Sequence, residues 1–138
     1  MALTLNLLQT QADCDKVLAD LNQTQQTLQF NRLRFERSKD TATQRATGID
    51  ADIASNQAEV SSLAPVVASL PESDIKAQLQ GRLRRAEFNL ANLQERKLRS
   101  GATAVILLES QINETDSRLN VLNTDITQVE THKGTLPA

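Results

Sequence analysis

From Leu7 to Leu70 apolar residues recur in steps of four and three, or in whole heptads: Leu7, Cys14, Leu18, Leu21, Leu28, Phe35, Ala42, Ala46, Ile49, Ile53, Val60, Leu63, Val67 and Leu70. On a helix this spacing draws one narrow stripe, the seam of a coiled coil rather than the wider face of a globular-core helix. Thr4 or Thr10 can cap its start, and Asp13 and Asp15 favour the later one through the helix dipole. Gln11, Gln25, Arg32, Lys39 and Asn56 also fall on the stripe. Polar residues there weaken a seam and at the same time fix its register.

Gly48 is the first punctuation, with Asp50 and Asp52 behind it as a new helix start would want. The apolar phase nevertheless runs straight through Ala42, Ala46, Ile49 and Ile53, which predicts one continuous helix carrying an interior glycine at a cost of about 1 kcal/mol. Pro65 and Pro71 cannot both lie inside an undisturbed helix, and Pro71 ahead of Glu72 and Asp74 reads as a first turn. The chain is therefore expected to reverse near residues 63–72. Arm one covers about 4–64, an apolar turn about 65–71, arm two about 72–132, and a frayed tail 133–138.

In the second half the stripe resumes through Leu79, Leu83, Ala86, Leu90, Leu93, Lys97, Gly101, Val105, Leu108, Ile112, Thr115, Leu119, Leu122, Ile126 and Val129. Two successive steps of four around Gly101 make a stutter, which unwinds a supercoil locally or marks a break. The expected fold is all-α: a single domain over 1–138 built as a long antiparallel coiled-coil hairpin, on the order of 90 Å long at 1.5 Å rise per residue. Such a hairpin has a thin core, and a second copy would complete it, a dimer first. Extra turns at Gly48 and Gly101 would instead give an up-down-up-down four-helix bundle.

Composition sharpens this picture. Aromatic residues make up 2 % of the 138 residues, with no Trp or Tyr, so neither a thick core nor a roomy apolar pocket is expected. Four Gly and three Pro leave little material for a turn-rich β fold. The net charge of −2 supplies no global drive toward nucleic acid or an anionic membrane. Locally the charge alternates: residues 49–75 hold five acids and no base, and residues 76–99 seven bases and two acids. A reversal near residue 70 lays these blocks against each other and disfavours slipped pairings. No apolar run reaches the ~18 residues of a membrane span, and Met1 to Leu8 lacks a basic leader, so a cytoplasmic protein is expected.

Candidate chemistry is sparse. His132 is the one histidine and lies at the edge of the tail expected to fray, which excludes Ser–His–Asp, Cys–His and multi-histidine metal sites, and Cys14 is the one cysteine. Cys14 lies on the stripe, where a small apolar residue packs. No catalytic residue, cofactor or metal ligand is expected, and the chain reads as a non-enzymatic structural or adaptor protein acting through protein–protein association. Two alternatives attach to named residues. Leu63, Val66, Val67 and Leu70 form an apolar tip that can serve a partner or a lipid surface. Arg82, Arg84 and Arg85, within the basic 76–99 segment, can serve nucleic acid or another anionic surface.

Overall fold

A computed structural model describes residues 1–138, and every regular element in it is helical. A short 3₁₀ turn, Leu5–Leu7, precedes α1 (Gln11–Ser69), α2 (Asp74–Ser100) and α3 (Ala102–Gly134). Contacts divide the chain into two compact units. Unit 1 comprises Met1–Arg37 with Leu108–Ala138, and unit 2 is Ser38–Leu107.

Thr10 sets the start of α1. Its hydroxyl accepts the Asp13 N–H at 3.1 Å, while the Asp13 carboxylate accepts the Thr10 N–H at 3.3 Å, a reciprocal cap that satisfies two otherwise orphaned donors. The helix then runs unbroken through Gly48 to Ser69, so the extra turn of the bundle alternative does not form there. Within α1 the stripe positions from Cys14 to Val67 are all buried or half-buried, the polar ones Gln25, Arg32, Lys39 and Asn56 included. Leu7 is an exception to the expected stripe: it precedes α1 and is 72 % exposed.

The reversal overlaps the C-terminal end of the expected 63–72 stretch. Pro65 is inside α1, about one turn from its end; its missing N–H leaves the Ser61 carbonyl without its helical donor, and both residues face solvent. The non-helical link is residues 70–73. Pro71 does not occupy the first turn of α2; Ser73 is the N-cap, its hydroxyl accepting the Lys76 N–H at 3.2 Å. A side-chain cap thus sets the boundary where the proline's fixed φ suggested an earlier one.

Unit 2 packs the second part of α1 against α2. Ala42, Ile49 and Val67 are buried from one helix, Ala86 and Leu93 from the other. The pairing is antiparallel, as the ion pairs Glu59–Arg82 at 2.9 Å and Asp50–Lys97 at 3.0 Å require. These are two direct meetings of the acidic 49–75 and basic 76–99 blocks. Lys97, expected on the stripe, is exposed and turned to Asp50. At Gly101 the helix breaks: its N–H still reaches the Lys97 carbonyl at 3.0 Å, and α3 begins one residue later.

Unit 1 packs the first part of α1 against α3, again antiparallel. Leu28, Leu122 and Ile126 form its buried cluster, with Leu18, Leu21 and Leu119 packed against them. Cys14 and Val129 are the most completely buried side chains. Each such aliphatic residue contributes roughly 1.5–3 kcal/mol by leaving water. Three polar stripe residues find partners across the helix pair: Gln11 donates to the Leu136 carbonyl at 3.1 Å, Gln25 to Asn123 Oδ1 at 2.5 Å, and Arg32 to the Asp116 carboxylate. The end of the chain contacts the start of α1. Helix α3 continues through Gly134, His132 Nε2 donates to the Leu8 carbonyl at 2.8 Å, and Lys133 pairs with Asp15 at 2.5 Å.

Candidate association surfaces

The apolar tip is only partly available. Val67 is buried in unit 2, Leu63 and Leu70 are half-buried, and Val66 alone of the four is exposed, at 44 %. The reason is rotational: Val67 continues the stripe of α1 toward α2, and Val66 lies 100° away on the solvent side. The three arginines separate in the same manner. Arg82 is tied to Glu59, while Arg84 and Arg85 are exposed and make no ion pair.

The strongest electrostatic site is Arg32 in unit 1. Its guanidinium donates to Asp116 across the helix pair and to Glu36 one turn ahead at 2.5 Å. The Asp116 hydrogen bond, then the Glu36 one, raise its pKa above the ordinary arginine value. Lys133 is likewise raised, by its hydrogen bond to Asp15 first and by the charge of that carboxylate second. Both arrangements fix helix register, and neither brings a titratable group to a cavity where it could act on a substrate.

Open grooves flank the helix pairs. In unit 2 a polar cleft of about 490 Å³ is lined by Asp52, Asn56, Asn89, Asn92, Arg96 and Arg99 among others. In unit 1 a more apolar groove of about 370 Å³ lies between α1 and α3, with Thr24 and Leu28 on one wall and Ser117, Arg118, Val121, Leu122 and Asp125 on the other. Leu28 and Leu122 are its buried floor, and Val121 is 62 % exposed above them. Elsewhere in unit 1 Phe30 and Leu33 are exposed on α1, and in unit 2 Leu98, Ile106 and Leu107 are exposed around the Gly101 break.

None of these exposed side chains belongs to the stripe. The signal in the sequence was their being large and apolar in the wrong phase: Val121 beside Leu122, Phe30 two residues past Leu28. No helix is long and apolar enough to cross a membrane. No family model, curated protein or solved structure matches the chain.

Proposed function

We propose that the protein is a non-enzymatic helical scaffold or adaptor that works by coiled-coil association, with a second copy of the chain as its first partner. The observation that carries this reading is the thinness of each unit. Eleven hydrophobic side chains are buried in the whole chain, all of them on the stripe that faces the paired helix. Large apolar residues on the flanks, Phe30, Leu33, Val121, Leu98, Ile106 and Leu107, stay exposed. Two helices have one mutual contact line, so the flanks of a pair can be covered only by further helices. The polar stripe residues suit such a role, because hydrogen-bonded seam positions select register and partner.

Sedimentation equilibrium from low micromolar to several hundred micromolar protein tests the proposal. A dimeric mass reached within that range supports it. A monomer throughout, with no change in secondary structure on concentration, overturns self-association as the working principle.

A further inference from the structure

The groove of unit 1 has a property the other exposed patches lack. Arg118 and Asp125 lie three residues before and four residues after Val121, so the three side chains share one side of α3. The two charged residues are two turns apart, roughly 10 Å along the axis, too far to pair with each other. Neither makes an ion pair elsewhere, and Asp125 is half-buried. The surface therefore reads positive, apolar, negative along the helix. Rotation by 180° about its centre superposes each charge on the opposite one, which is the condition for an isologous contact between identical chains.

We propose that a second copy of this chain seats on this groove. The α3 helices of the two copies pack antiparallel about a twofold axis near Val121 and Leu122, and Arg118 of each copy meets Asp125 of the other. Both Val121 side chains then fill the space above Leu28 and Leu122, and the small Thr24 and Ser117 let the helices approach to packing distance. The groove is shallow and open, which suits the ridge of a helix rather than an enclosed small molecule. By contrast, the apolar patch around Leu98 is bordered by Lys97, whose charge is already engaged by Asp50. This inference rests on the self-association reading and names the surface it uses.

The test is a charge exchange. Arg118→Asp and Asp125→Arg are each measured alone and as an equimolar mixture by sedimentation, beside the unaltered chain, with far-ultraviolet circular dichroism to verify helicity. Each variant alone places like charges at both ends of the twofold contact and is expected to dimerise about tenfold more weakly or worse. In the mixture, a heterodimer has opposite charges at both ends, so affinity returns toward that of the unaltered chain. Val121→Glu, at an exposed position, serves as a second disruption if either charge variant loses helicity. If the unaltered chain dimerises but the variants match it, or the mixture shows no recovery, the surface is wrong and self-association stands. If the unaltered chain is monomeric throughout, both fall together.

Discussion

Gly101 stands where the backbone turns from α2 into α3, and what its position forbids is a side chain. A Cβ there would meet the Lys97 carbonyl oxygen at 2.5 Å, against backbone that cannot yield cheaply. Gly48 and Gly81 are interior to helices, and a Cβ on either would meet nothing within 4 Å. Gly101→Ala should therefore lower stability by more than about 1 kcal/mol, while Gly48→Ala and Gly81→Ala should each raise it by about 0.5–1 kcal/mol, as read from urea unfolding midpoints. The threonines that replace charge on the outer faces also have a local explanation. Thr24, Thr27, Thr43, Thr47, Thr124, Thr127 and Thr131 each donate their hydroxyl to the carbonyl four residues back, so they are satisfied without a partner, and the buried stripe residue Thr115 does the same. Lys133 gives a pH signature. Its pKa is raised on folding by Asp15, so the pair's stabilisation is fully present below the ordinary lysine value of 10.5 and is lost as pH rises through the higher folded value. The gap in unfolding midpoint between the unaltered chain and Lys133→Gln should hold steady from pH 7 to 9 and close above pH ~10.5.

Helix α1 shows how much of an element its periodicity can specify. The run of four-and-three steps places the buried side from Cys14 to Val67 without a slip, and it carries the helix through Gly48 because packing on the stripe outweighs a glycine cost of about 1 kcal/mol. Proline chemistry was a poorer guide. Pro65 lies on the exposed side, where the carbonyl it deprives of a donor can turn to water, so the helix tolerates it for one more turn. That extra turn is what brings Val67 under α2. Val67→Asp is expected to destabilise by roughly 1–3 kcal/mol, and Val66→Asp to stay within ~0.5 kcal/mol of the unaltered chain; thermal melts of the two variants make the comparison.

Across the whole molecule, antiparallel pairing is recorded by charge in both units: Asp15 with Lys133 and Arg32 with Asp116 in one, Asp50 with Lys97 and Glu59 with Arg82 in the other. Pairs of this kind are screened by solvent, so they select the register more than they hold it. Most of the stability comes from the buried stripe, and that stripe is one side chain thick. Association that covers the flanks would bind the folded state alone and raise its stability by mass action. The melting temperature should rise with protein concentration over two decades in differential scanning calorimetry; a melt independent of concentration would count against the proposed dimer.

Helical class, the continuity of α1 and the inward face of α1 from Cys14 to Val67 were written in the order of apolar and polar residues, because a seam's period is a local property of the chain, while the reversal near mid-chain was written in its two prolines. The stutter at Gly101 was legible as a place, though not as a break; that choice depends on whether packing rewards an unwound helix or a kinked one. The candidate groove was illegible for a related reason. Val121, Arg118 and Asp125 lie off the stripe, and their meaning depends on Leu28, which the pairing of α1 with α3 brings to the floor between them from more than eighty residues away. Spacing along one helix reports which residues face inward. Which outward residues come to share a surface is set only when two distant stretches pack, since that requires the register and rotation of both helices together.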